Sequence, residues 1–80
     1  MLITVRFFAS YADALGRKDA QLSLSGEACV RDLLKSVSEL PGASALPANP
    51  LVAVNQVYAG AGTRLNAGDE VALIPPVAGG

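Results

Sequence analysis

Eighty residues, 51% of them hydrophobic, 16% charged and with a net charge of -1, describe one small domain; domains run to roughly 100–150 residues, so a second does not fit. Six Lys+Arg against seven Asp+Glu leave no basic field for nucleic acid or an acidic lipid surface. With no histidine and one cysteine, the chain lacks the usual near-neutral acid–base group. It also cannot form an internal disulfide or a thiolate zinc cage, so no catalysis by this chain alone and no bound metal or cofactor is expected.

In chain order, Leu2 to Phe8 alternates Ile3, Val5 and Phe7 against Thr4 and Arg6, the period of a half-buried strand. Ser10 to Leu15 reads as a short helix, with Gly16 in the place that favours a left-handed stop. Ala20 to Ser25 alternates again and predicts a second strand, which Gly26-Glu27 ends. Val30, Leu33, Leu34, Val37 and Leu40 then form one apolar stripe at helical spacing, predicting a main helix over residues 30–40. Pro41-Gly42 stops it, and three prolines within residues 41–50 make that stretch a loop.

Leu51 to Val54 is a continuous apolar run, expected as a central strand buried on both faces. Asn55-Gln56 marks a tight reversal into a short strand, Val57 to Ala59. Gly60 to Asp69 is turn-rich with Leu65 as its core anchor, and Glu70 to Ile74 is the last strand. Pro75-Pro76 stops it, because neither proline donates a ladder hydrogen bond. This order predicts an α+β domain over residues 1–74: a β-grasp, or ubiquitin-like, mixed sheet of about five strands on one main helix, with an extra short helix after strand 1. The first strand is expected to be central with the last beside it. Residues 75–80 are expected to form a flexible tail.

The tail is where chemistry can reside. Gly79 and Gly80 carry no side chains, so they can enter a channel too narrow for a Cβ and leave the Gly80 carboxylate unhindered. A carboxylate is a poor electrophile until it is converted to an acyl-adenylate by a separate ATP-using enzyme. It is then a good acyl donor to sulfur, nitrogen or oxygen. Cys29, just before the main helix, is a poor cap; a lowered thiol pKa at that position would allow sulfur handling, but a small structural residue is the expected role. Phe7, Phe8, Tyr11 and Tyr58 are expected in the core or at a partner contact, since no basic cluster accompanies them. Asp69-Glu70 reads as a turn and a strand start.

The segment Gly68-Asp69-Glu70-Val71-Ala72-Leu73-Ile74-Pro75-Pro76-Val77-Ala78-Gly79-Gly80 resembles the C-terminal signature of the molybdopterin synthase small subunit, the sulfur carrier of molybdenum cofactor biosynthesis. Val5-Arg6-Phe7-Phe8-Ala9, Val30-Arg31-Asp32-Leu33-Leu34 and Ala53-Val54-Asn55-Gln56 resemble three further stretches of that family. The resemblance implies that Gly80 is adenylated by an enzyme similar to ubiquitin-activating enzymes, which uses the ATP. A sulfur donor protein then supplies the sulfur of a thiocarboxylate.

The tail would enter the large synthase subunit and pass sulfur to cyclic pyranopterin monophosphate. Gly79 would supply clearance; Pro75, Pro76, Val77 and Ala78 would guide the tail; Ile74 and Val77 would touch the partner. Ala78 stands where that family more often has Ser or Thr, and Ala-Gly-Gly endings are also similar to the sulfur carrier of thiamine thiazole synthesis. Transfer-RNA thiolation and ubiquitin-like protein modification are the other roles such a tail serves. No apolar run approaches the roughly 20 residues of a bilayer span, and with no signal pattern a reduced, cytoplasmic setting is expected.

Overall fold

The computed structural model describes residues 1–76. Its strands are β1 (Leu2–Phe7), β2 (Asp19–Ser23), β3 (Leu51–Val54), β4 (Val57–Ala59) and β5 (Glu70–Ile74). Its helices are α1 (Ala9–Leu15) and α2 (Val30–Val37), and a 3₁₀ turn covers Ala43–Ala45. The strands form one sheet in the order β2-β1-β5-β3-β4, with β1 and β5 parallel and every other pair antiparallel. This is the expected α+β, ubiquitin-like arrangement, except that the last strand rather than the first lies at the centre.

Alternation along the strands decides which residues enter the core. Ile3, Val5 and Phe7 of β1, Val71 and Leu73 of β5, and Val52 of β3 are buried together against Val30, Leu33 and Val37 of α2. Full burial of a Leu or Ile side chain stabilises by about 1.5–3 kcal/mol, so this stripe-on-sheet contact is the main favourable contribution of so small a domain. Leu65 is buried, as expected of the one anchor in its turn-rich segment. The run Leu51–Val54 is interior to the sheet: Val52 and Ala53, which point to opposite faces, are both buried. Leu51 is instead exposed, so the double burial covers only the middle of the strand.

The main helix is shorter than its apolar stripe. It ends at Val37, and the backbone N–H groups of Glu39 and Leu40 bond to Ser36 and Val37, three residues back, as in a tightened last turn. The Ser38 hydroxyl donates to the Lys35 carbonyl at this point, offering the backbone an alternative to the helical ladder. Leu40 still packs on the core from this turn, so the stripe was a guide to burial rather than to helix length.

Cys29 occupies the N-cap of α2, and the first turn is satisfied by other groups. The N–H groups of Val30 and Arg31 bond to the carbonyls of Thr63 and Ala61 at 2.9 Å each, so the 60–65 segment caps the helix from outside. Asp32 reaches back: its carboxylate accepts the Cys29 backbone N–H at 2.9 Å and the Cys29 Sγ–H at 3.4 Å. Those two bonds, the backbone one first, hold the Asp32 carboxyl below its ordinary value. A group with a depressed folded pKa adds stability above its unfolded pKa and loses it as pH falls through the folded one. The stability gap between the native chain and Asp32→Asn is therefore expected to be fully open above about pH 5, where an unfolded aspartate is ionised. It should close in acid; urea titrations across pH 2 to 7 would measure it, and a gap independent of pH would contradict the charged reach-back.

Candidate functional site

The face of the sheet away from α2 carries the residues left out of the core. The strand registers align them in rows. Arg6 pairs with Ala72, Ala72 with Ala53 and Ala53 with Tyr58, while Ile74 pairs with Leu51. One step beyond the Phe7–Leu73 pair, Phe8 continues the row of Ile74 and Leu51. The small residues Ala53 and Ala72 make a floor, and Arg6, Phe8, Gln56, Tyr58, Glu70 and Ile74 rise around it to enclose a shallow concavity of about 360 Å³.

Its walls mix polar Arg6, Gln56 and Glu70 with exposed apolar groups: Phe8 is 44% exposed and Tyr58 69%, with Leu51 at 48% beside them. A contiguous exposed patch of this kind, rimmed by polar groups, is what a protein contact uses. The four aromatics thus divide into a buried and an exposed pair, Phe7 and Phe8 by alternation along the chain and Tyr11 by its place on α1. Phe7 and Tyr11 are buried, whereas Phe8 and Tyr58 are displayed on the outer face. Arg6 ties the rim together, with its guanidinium carbon 6.0 Å from the Phe8 ring centroid and its Nη1 3.6 Å from the Glu70 carboxylate. Both partners of that ion pair are half exposed, so it orients side chains more than it stabilises the fold.

The concavity lies against the exit of the tail. Ile74, the last residue of β5, is half-buried at its edge; Pro75 is half-buried and Pro76 exposed. Of the residues singled out for the tail, Ile74 is therefore brought onto the same face as Phe8 and Tyr58. Val77, Ala78, Gly79 and Gly80 lie outside the described residues. Among the described residues no group of His, Cys, Asp or Glu is arranged to hold a metal, and no helix is long and apolar enough to cross a membrane.

The far rim is held by an arrangement with no short-range sequence signal. Asn55 and Gln56 form the two-residue β3–β4 connection with φ of +49° and +71°, the doubly left-handed geometry of a type I′ turn. The Asn55 side chain donates to Asp69 Oδ1 at 2.9 Å and accepts the Glu70 N–H at 3.0 Å, while Asp69 Oδ2 accepts the Asn66 N–H at 2.8 Å. The hairpin is thereby clamped to the start of β5, and Tyr58 is fixed over the floor. We expect Asn55→Ala to cost about 1–2 kcal/mol from its lost bonds and poorer left-handed backbone. Denaturant unfolding would show it, and an unchanged midpoint would contradict the clamp. Gln56 carries a left-handed cost of about 1–2 kcal/mol with no such compensation: among the described residues its side chain makes no hydrogen bond.

Comparison with known proteins gives this surface its context. The family model described as the ThiS family matches residues 5–80. The chain belongs to the ThiS family. It is thus a ubiquitin-fold protein of the sulfur-carrier group. Among solved structures it is similar to SAMP1 from Haloferax volcanii, at 30% identity over 100% of both chains with a TM-score of 0.87. It is also similar to a putative molybdopterin converting factor, subunit 1, from Pyrococcus furiosus, at 26% identity over 96% of this chain and 99% of that one, TM-score 0.85. A third likeness is to a chain of the complex of subunits 1 and 2 of the molybdopterin-converting factor from Helicobacter pylori, at 25% identity over 100% of both chains, TM-score 0.75. In this ThiS-family chain the outer face, the clamped hairpin and the tail exit form one continuous surface.

Proposed function

We propose that this chain is the sulfur carrier of molybdenum cofactor biosynthesis, the small subunit of a molybdopterin synthase. The observation that carries the reading is the junction of an open face displaying Phe8, Tyr58 and Ile74 with the Ile74-Pro75-Pro76 exit of a segment ending in Gly79-Gly80. An ATP-using adenylating enzyme grips the face while the Gly80 carboxylate attacks the α-phosphorus of ATP and pyrophosphate leaves. A persulfide on a donor protein then attacks the acyl carbon, AMP departs and an acyl disulfide forms. A second thiol attacks the donor-side sulfur, closes a disulfide with it and releases Gly80 as a thiocarboxylate. The large synthase subunit takes the same face, draws in the tail through Val77, Ala78 and Gly79, and directs the sulfur to cyclic pyranopterin monophosphate.

The side chains of this protein dock and guide; the partners supply ATP and catalytic groups. The likeness to subunit 1 of molybdopterin-converting factors, one of them solved with its subunit 2, supports this pathway.

The likeness to the small archaeal modifier protein SAMP1 favours one further reading, in which the same acyl-adenylate forms an isopeptide with a target lysine. Cells lacking this chain are expected to lose molybdenum-enzyme activity without requiring thiamine. A thiamine requirement with molybdenum enzymes intact would move the carrier to thiazole synthesis, and loss of lysine conjugates alone would favour the modifier. We expect Cys29→Ala to leave sulfur transfer within about twofold of native, because Cys29 serves the helix cap. A folded Cys29→Ala chain that carries no sulfur would reverse that assignment.

A further inference from the structure

We propose that Gln56 is a specificity-determining contact, pairing its side-chain amide with a main-chain peptide group of the adenylating enzyme that docks on the outer face. The inference rests on the docking reading given above. Three observations lead to it. Gln56 occupies the second position of a type I′ turn at φ +71°, where glycine is strongly favoured. Its neighbour Asn55 offsets the same left-handed backbone with two side-chain bonds to the Asp69–Glu70 segment, but the Gln56 amide is exposed and makes no bond among the described residues.

It also stands in the wall of the concavity, across the Ala53–Ala72 floor from Phe8 and Ile74, with Glu70 and Tyr58 as its neighbours in that wall. Strain that no side-chain bond among the described residues offsets is a reason to look for a role in a contact with a partner. The chemistry of the group narrows that role. A primary amide both donates and accepts, as a peptide group does, and it carries no charge to be screened. Beside the Arg6–Glu70 pair, which is already matched within the chain, one such neutral group fixes the register of a partner loop without demanding a charged residue from it. The clamp at Asn55 holds the turn backbone in place, so the Gln56 side chain issues from a fixed point on the rim.

The test is steady-state adenylation, read as pyrophosphate release, with the full chain as varied substrate and the adenylating enzyme from the same cell. Gln56→Gly should melt higher than native by about 4–8 °C, because the left-handed strain is relieved. Its KM should nonetheless rise about tenfold with kcat unchanged, the size of one lost interfacial hydrogen bond.

Gln56→Asn keeps a residue that tolerates the left-handed region and withdraws the amide by one methylene, so it should raise KM similarly. If Gln56→Gly stabilises the chain and leaves KM within twofold, the side chain contacts nothing and the proposal is wrong. It is equally wrong if Gly raises KM while Asn behaves as native, since turn rigidity would then be the cause. Tyr58→Ala and Ile74→Ala report on the docking face itself. A rise in KM for these two alone sinks the Gln56 assignment and leaves the docking reading standing; no rise in any of the four sinks both.

Discussion

A chain ending at Gly79 is expected to fold as the native chain does and to accept no sulfur. Gly80 has no side chain to bury, and among the described residues the last one in the core is Leu73, so the thermal midpoint should not move. The reacting carboxylate, however, retreats by one residue, about 3.3–3.6 Å of extended chain. A misplacement of even about 1 Å at a reacting centre costs on the order of a hundredfold in rate, so thiocarboxylate formation should fall at least that far. Appending one residue after Gly80 should have the same effect from the opposite direction, since the new side chain and its carboxylate overfill the channel. The measurement is product formation with the adenylating enzyme, ATP and a sulfide source, with thermal melts run alongside. Sulfur loading at the native rate in either variant would show that the reactive group is not the Gly80 carboxylate.

The largest effect on the fold itself is expected at Gly42. Its φ is +87°, and a Cβ placed there would be driven into the carbonyl oxygen of Ala14, a backbone atom that cannot swing aside. Gly42 follows the last turn of the main helix and introduces the 3₁₀ turn whose buried Ala43 packs in the core. A methyl group would therefore wedge this turn away from the end of α1. Left-handed strain of about 1–2 kcal/mol and the steric displacement together should cost about 3 kcal/mol or more. For a domain of this size that lowers the midpoint by about 12–24 °C. Gly26→Ala and Gly62→Ala, where a Cβ meets open space and φ is not left-handed, should stay within about 0.5 kcal/mol of native. If Gly42→Ala melts with those controls, the close approach of the turn to α1 is not present in solution.

How much of this was legible beforehand differs from residue to residue. Period-2 alternation assigned Ile3, Val5 and Phe7 to one face, which is the buried one. By residue type, however, Phe8 and Tyr58 group with Phe7 and Tyr11 as core or contact residues, and only the fold separates the exposed pair from the buried one. The terminal Pro-Pro and Gly-Gly pairs pointed to the tail through their chemistry, because proline ends a ladder and glycine opens a narrow path. The central place of β5 was not legible: strand order depends on which long-range pairing wins, and β1 and β5 are equally apolar along their buried faces.

The Asn55 clamp was missed for a related reason. Asn55 and Asp69 read singly as turn residues, and only the meeting of β3 with β5 makes them a pair. Cys29 looked like a failed cap because its side chain was judged alone, whereas the orphan amides are served by Ala61, Thr63 and Asp32. The positive φ at Gln56 carried no signal in its own residue type, which is why its place in the wall of the concavity emerges only from the fold.

The proposed sulfur carrier bears its sulfur on the terminal main-chain carboxylate. That placement is tested most directly by the intact mass of the protein purified, without reductive or alkylating treatment, from the cells that make it. The purified protein is expected to include a population heavier than the sequence mass by the exchange of one oxygen for one sulfur, confined to the peptide that ends at Gly80 and lost when the adenylating enzyme is deleted. A protein that stays at its sequence mass in the presence of that enzyme, or one found only in lysine conjugates, would contradict it.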